Sequence, residues 1–285
     1  MIKGTTQLLG VIGYPVKHSM SPIMHNAAIA TLGLDYAYLP FPIAPDQLKT
    51  AIDGFAAVGL KGFNITIPHK QTIMPLLANI SDVAQAIGAV NTVWWNDGWC
   101  GTNTDAAGFL APLQTLERDW SQCPALILGN GGAARAVVAA CHQLGCPDIR
   151  VVGRNTEKLT AFAQSWQTSP LKPNLAVHTW EQLDDLLPDV GLVVNSTPVG
   201  MAPETDASPL NETQLNGLPE QAIAYDLIYT PRPTQFLRQA ARAGLVTFDG
   251  LEMLVQQGAA ALEIWTQQSP PVSTMRQSLL DHLGQ

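Results

Sequence analysis

The chain has 285 residues, with 15 basic and 23 acidic side chains for a formal charge of −8. Its hydrophobic fraction, 46%, is ordinary for a folded protein, while its charged fraction, 13%, falls below the roughly 25% typical of soluble domains. This balance excludes intrinsic disorder, which needs low hydrophobicity and high charge, and argues against a nucleic-acid partner, which leaves a basic footprint.

In chain order, residues 7–12 read as a first strand, 22–31 as a helix, 36–41 as a strand and 46–57 as a helix. Residues 63–67 form the next strand, with Asn64 and Thr66 on one face and Phe63, Ile65 and Ile67 toward the core. A helix over 70–78, begun by Lys70, and a strand over 89–95 follow, closed by the hairpin signal Asn96-Asp97-Gly98. A helix over 106–116 joins this series to a second one. That series has strands at 125–128, 149–152, 192–194, 222–225 and 245–248 with helices between them, and only helix from Gly250 onward. Alternating strands and helices imply parallel sheets covered on both faces. The expectation is an α/β fold of two domains with a cleft between them, the C-terminal helices packing back across it. Cys100, Cys123, Cys141 and Cys146 show no zinc or redox spacing and read as buried filler. No apolar run suits a signal peptide or a membrane span, so a cytoplasmic protein with no membrane partner and no metal is expected.

The strand over 125–128 runs into Gly129-Asn130-Gly131-Gly132-Ala133-Ala134, a G-x-G-x-x-A pattern at the start of a helix that ends at Gly145. The first glycine permits a tight turn, the second lets the backbone approach a pyrophosphate, and free helix-start amides receive the anion. An NAD site places an acid about 20 residues on. Here the next strand ends in Gly153-Arg154-Asn155-Thr156-Glu157-Lys158, with two cations and no acid at the strand end, which favours NADP.

Three polar clusters lie at strand ends of the first series. Ser19 and Ser21 precede a helix with Pro22 in its first turn; one could cap the helix, and the pair also suits a carboxylate. Asn64, Thr66 and Lys70 form the second cluster, and a lysine in a helix's first turn runs against the dipole. Asn91-Thr92 and Asn103-Thr104-Asp105 form the third. His18 and His25 lie near the serines and His69 beside Lys70; His25 reads as a helix-face residue and His69 as structural. Trp94, Trp95 and Trp99 read as edge-strand packing.

Taken together, Gly13-Tyr14-Pro15 with Ser19-Met20-Ser21-Pro22, the stretch 64–70, Gly88-Ala89-Val90-Asn91-Thr92 and Asn103-Thr104-Asp105 resemble the substrate-domain signatures of shikimate dehydrogenases. So do the stretches 195–201, 225–229 and 250–257, in the family's order along nearly the whole chain. The resemblance implies NADP-dependent reduction of 3-dehydroshikimate to shikimate on the route to chorismate and the aromatic amino acids. It divides the chain into a substrate-binding catalytic domain at 1–105, a Rossmann-type NADP domain at 106–249 and C-terminal helices at 250–285 that return to the first. It implies that Lys70 and Asp105 are the catalytic pair. Ser19 and Ser21 would hold the substrate carboxylate with help from Tyr229, and Thr66, Asn91, Asp105 and Gln257 would bind the ring hydroxyls. Gly129, Asn130, Gly131, Gly132 and Ala133 would cradle the pyrophosphate. Gly153, Arg154, Asn155, Thr156, Glu157 and Lys158 would meet the adenosine phosphate, and Leu227 and Gly250 would line the nicotinamide. Two positions depart from the family pattern: Asn130 replaces a small residue, and Gly153 stands where many members have Asn. Partners reduce to the small-molecule substrate, with a monomer or homodimer expected. The rivals are an NAD-dependent quinate/shikimate dehydrogenase, a non-catalytic NADP-binding regulatory module, and a methylene-tetrahydrofolate dehydrogenase. The module should have lost Lys70 or Asp105, and the last suits paired serine hydroxyls poorly.

The charge is uneven. No Lys or Arg lies between Pro173 and Pro231 while nine acids do, so this stretch carries −9 and the remainder +1. The domain expected to receive the anionic substrate and the turn expected to receive the NADP phosphate lie outside it.

Overall fold

The computed structural model describes residues 2–285, in two compact units: one built from residues up to 108 together with 254–285, the other from 109–253. The elements run β1 (Gln7–Gly13), α1 (Ser21–Thr31), β2 (Tyr36–Pro42), α2 (Leu48–Ala57), β3 (Gly62–Ile65), β4 (Asn79–Ile80), α3 (Asp82–Ile87), β5 (Thr92–Trp95), β6 (Trp99–Thr102) and α4 (Asp105–Leu113). They continue as β7 (Ala125–Leu128), α5 (Gly132–Leu144), β8 (Ile149–Gly153), α6 (Thr156–Gln167), β9 (Leu175–Thr179), α7 (Leu183–Leu186) and β10 (Leu192–Asn195). The last are α8 (Glu212–Asn216), β11 (Ile223–Asp226), α9 (Gln235–Arg242), β12 (Val246–Phe248), α10 (Gly250–Thr266) and α11 (Val272–Leu283).

The first sheet has the order β2-β1-β3-β5-β6-β4. It is mixed rather than parallel: β5 runs antiparallel to both β3 and β6, and the β5–β6 pair is a hairpin in which Asp97 and Gly98 adopt positive φ and turn the chain back. Its core gathers Ile12, Ile52, Phe63, Ile65, Ile73, Val90 and Val93. The C-terminal segment belongs to this unit: α11 packs against α1, burying Met275 and Leu279 fully, and the Trp265 indole on α10 donates to the Val93 carbonyl at 2.9 Å. Gly62 is needed under that indole, since a Cβ there would stand 2.2 Å from Trp265 Nε1.

Two further expectations fail in the first unit. Residues 70–78 form turns and one 3₁₀ turn at Met74–Leu76, not an α-helix. A long-range bond takes a backbone group that a helix would use, the Val90 amide donating to the Lys70 carbonyl at 2.8 Å, and the His69 side chain is fixed just before it, its Nε2 2.7 Å from the Ile43 carbonyl. The dipole argument for Lys70 therefore lapses. Ile67, expected in the core, is 71% exposed because β3 ends at Ile65 and the chain then turns outward.

In the second unit six strands pair in parallel in the order β12-β11-β10-β7-β8-β9. This is the doubly wound Rossmann order, whose reversal between β7 and β10 opens a ligand crevice at the carboxyl ends of the strands. The strand β9 and the short helices α3, α7 and α8 have too few apolar positions to announce themselves. All four cysteines are free and buried. Among the described residues, no helix is long and apolar enough to cross a membrane.

Candidate functional site

The first unit gathers a buried polar cluster around Asn91. Its Nδ2 lies 2.9 Å from both Thr104 Oγ1 and Asp105 Oδ1 and 3.3 Å from Gln257 Oε1, while its Oδ1 accepts from the Thr104 amide at 2.8 Å. Asn91 therefore ties β5's start, α4's first turn and α10 to one point. Lys70 Nζ is hydrogen-bonded to Asp105 Oδ2 in an ion pair whose side chains keep 15% and 7% of their exposure. Asp105 is the first residue of α4. The Asn103 carboxamide fixes that turn, accepting from the Asp105 amide at 3.0 Å and donating to the Ala89 carbonyl at 3.0 Å. A buried ion pair costs desolvation unless further hydrogen bonds support it; Asn91 supplies one here.

Behind the pair runs a second layer that motif reading did not place. Asn64 donates to the Asn91 carbonyl and to Thr92 Oγ1 at 3.2 Å each, and its Oδ1 accepts from the Tyr38 hydroxyl at 2.7 Å. Burial holds the Tyr38 phenol well above its ordinary pKa. His25 stacks on Tyr38 at 4.3 Å between ring centroids, is fully buried, and is lowered by burial to a pKa of about 3, so it is neutral. The alternation in β3 signalled Asn64; nothing local announced its partners.

Ser19 and Ser21 stand at the start of α1, whose N-cap is Met20 with no side-chain capping bond. The capping explanation for the serines is thus reduced to one long contact, the Ser21 amide to Ser19 Oγ at 3.4 Å. Thr66 packs over Gly13, where a Cβ would come within 2.4 Å of Thr66 Cγ2, and the Tyr14 amide donates to the Ile67 carbonyl at 2.9 Å. These bonds hold the loops after β1 and β3 side by side. Ser19, Ser21 and Thr66 lie in the same unit as Lys70, Asn91, Asp105 and Gln257 without a hydrogen bond to that cluster, and Tyr229 belongs to the second unit.

In the second unit, Gly129 has φ +103, and a Cβ on it would stand 2.9 Å from Ser196 Oγ, so the turn after β7 requires glycine. Gly131 is the N-cap of α5 with no side-chain capping bond, and a Cβ on it would meet nothing within 4 Å. The first intrahelical donor is the Arg135 amide, bonded to the Gly131 carbonyl, so the amides of Gly132, Ala133 and Ala134 precede it; free amides at a helix start can receive an anion. At the end of β8, Arg154 and Lys158 are exposed and in no ion pair, which suits a further phosphate. The Asn155 carboxamide is committed to capping α6, accepting from the Lys158 amide at 2.8 Å; Thr156 and Glu157 form that helix's first turn. Arg135, which sequence reading passed over, is buried against Phe162 and Trp166 and donates to Ser165 Oγ at 2.7 Å, bracing α5 against α6. Leu227 and Gly250 are adjacent: a Cβ on Gly250 would stand 2.1 Å from the Leu227 carbonyl oxygen. Asp226 beside them is fully buried, accepting from Asn195 Nδ2, the Ile228 amide and Thr234 Oγ1 at 3.0, 3.1 and 2.7 Å. Burial raises its pKa from 3.8 to about 6 despite those donors. The residues present fit a phosphorylated dinucleotide.

Family profiles match in three blocks: a shikimate dehydrogenase substrate-binding domain at residues 11–93, a shikimate/quinate 5-dehydrogenase domain at 112–230, and a shikimate 5′-dehydrogenase C-terminal domain at 250–280. A shikimate dehydrogenase (NADP(+)) from Trichormus variabilis is 63% identical over 100% of this chain and 99% of its own. A shikimate dehydrogenase solved with NADP+ is 38% identical at a TM-score of 0.89, covering 99% of this chain and 98% of its own. A quinate dehydrogenase from Corynebacterium glutamicum solved with NAD is 28% identical at a TM-score of 0.86, covering 97% of this chain and 99% of its own. The polar cluster around Asn91, the glycine turn and the segment from Gly250 fall in or immediately beside the three matched blocks, and with full-length identity of this order the chain belongs to the shikimate dehydrogenase family.

Proposed function

We propose that the chain catalyses the reversible NADPH-dependent reduction of 3-dehydroshikimate to shikimate. The observation that carries this reading is the Lys70–Asp105 pair, mostly buried and held through Asp105 by Asn91, which in turn donates to Gln257, within a chain of this family. When bound, the nicotinamide supplies the hydride that adds to the carbonyl carbon. The protein must then meet the negative charge that develops on the oxygen and deliver one proton to it. Lys70 does both, as a cation that stabilises the charge and as the proton donor. In the reverse direction the same amine accepts the hydroxyl proton. Asp105 keeps Lys70 oriented, and Asn91 keeps Asp105 oriented. Thr66, Asn91, Asp105 and Gln257 bind ring hydroxyls, and Ser19, Ser21 and Tyr229 hold the carboxylate. On the cofactor side, the turn 129–133 takes the pyrophosphate, residues 153–158 the adenosine phosphate, and Leu227 and Gly250 the nicotinamide face.

The test is the purified protein with shikimate or quinate, each with NADP+ or NAD+, followed by absorbance of the reduced nicotinamide. Turnover with shikimate and NADP+ is expected to dominate. Turnover favouring quinate with NAD+ would establish the rival specificity, and none in all four mixtures would overturn both readings. Light scattering on the eluting protein tests the expected monomer or homodimer, and fractionation tests the expected cytoplasmic location.

A further inference from the structure

Gly153 and Asn130, at the ends of neighbouring strands of the second unit, meet in space. Gly153 ends β8 with an ordinary negative φ, so its backbone does not demand glycine; what the position lacks is a side chain. The space where that side chain would begin is taken. A Cβ on Gly153 would lie 3.2 Å from Asn130 Oδ1 and 2.9 Å from Leu159 Cδ2. Asn130 reaches this place from the glycine turn after the neighbouring strand β7, is half-buried, and makes no side-chain hydrogen bond to any described residue. The other carboxamide at this strand end, Asn155, is committed to capping α6. The end of the second Rossmann strand is where a dinucleotide presents its adenosine ribose, and where an NAD enzyme places an acid.

We propose that Asn130 is the ribose-side hydrogen-bonding residue of the dinucleotide site and sets its preference for a phosphorylated ribose, replacing across the turn the side chain that Gly153 lacks. An amide suits this task because it is uncharged, donating to a 2′-phosphate oxygen and accepting from a ribose hydroxyl. A carboxylate of the same shape would repel the phosphate and bind the unphosphorylated diol. The absent side chain at 153 and the carboxamide at 130 are therefore reciprocal: the one leaves the space that the other fills. This inference rests on the reading that the turn receives NADP(H).

The experiment measures dissociation constants of NADPH and NADH by nicotinamide fluorescence titration of the full chain, with thermal melts to confirm folding. N130A should weaken NADPH roughly three- to thirtyfold, the loss expected for one hydrogen bond to a charged or polar group. N130A/G153N should recover most of that loss, the flexible Leu159 tip yielding to the new side chain. N130D should shift the NADPH-to-NADH preference toward NADH by about tenfold or more through like-charge repulsion; this arm does not depend on whether position 153 accepts a side chain. Wild-type NADPH affinity in N130A, no recovery in the double variant, or an unchanged preference in N130D each overturns the proposal. Failure of the unmodified protein to bind either dinucleotide overturns the reading beneath it as well.

Discussion

Lys70 is anchored at both ends, its carbonyl by the Val90 amide and its ammonium by Asp105, so truncating it leaves the surrounding backbone in place. Lys70→Ala should lower kcat by roughly 10²–10⁴, the range for a positioned acid–base group, while KM for shikimate changes little. Steady-state kinetics with shikimate and NADP+ check this; a raised KM with kcat intact would make Lys70 a binding residue. Asp226 makes a different prediction. With its pKa raised from 3.8 to about 6, the folded protein holds a proton that the unfolded chain has already released across that interval. Its contribution to stability is therefore full below pH 4 and lost as pH rises through 6. Against Asp226→Asn, wild-type stability should fall by about 3 kcal/mol between pH 4 and 7 in urea titrations, about two pKa units' worth; a flat difference would refute the assignment. At this scale the sequence was informative where a motif is contiguous: Lys70 and Asp105, singled out from separate motifs, meet in an ion pair, and the serine pair stands at the start of α1. Tyr38 escaped, and so did the partners of Asn64 and His25, because these contacts depend on which strands neighbour one another. The relation of Asn130 to Gly153 escaped for the same reason, although each residue alone stood out.

Elements were legible where one periodicity dominates. Two central Rossmann strands, β7 and β10, carry apolar runs, and the helix after Gly131 ends at a glycine with φ +88, as its sequence suggested. The stretch 70–78 has helical spacing, yet tertiary bonds to Val90 and Ile43 outweigh a weak local preference. The glycine turn after β7 tolerates no side chain at its first residue without strain. Gly129→Ala would add a Cβ at φ +103 and within about 3 Å of Ser196 and Thr197. It should cost about 1–3 kcal/mol of stability and weaken NADPH binding, seen together as a lower melting temperature and a higher dissociation constant. An unchanged melt would mean that the turn relaxes without cost.

Across the whole molecule, the excess acid of residues 173–231 lies on the exterior at eight of nine positions. The ninth, Asp226, is the buried group whose titration is predicted above, so the same charge type serves solubility outside and loop anchoring within. The first unit's stability depends on the chain's return to it. Leu279 on α11 is fully buried where that helix packs on α1, whose first residue is Ser21. Leu279→Ala should cost about 2–5 kcal/mol by opening a cavity there, measured by denaturant unfolding of the whole chain; a loss under 1 kcal/mol would show the packing to be dispensable.

That return also sets an order of events at the ribosome, where the amino-terminal part of a chain emerges first. Strands β1 to β6 are made early, but Gln257 and the Trp265 cover over Gly62 belong to residues 254–285, which follow the entire second unit. A nascent chain halted just before residue 254 would hold every residue of the cofactor unit and the Lys70–Asp105 pair, yet leave the Val93 carbonyl without its indole donor and Asn91 without Gln257. The part translated first is the last that can be completed.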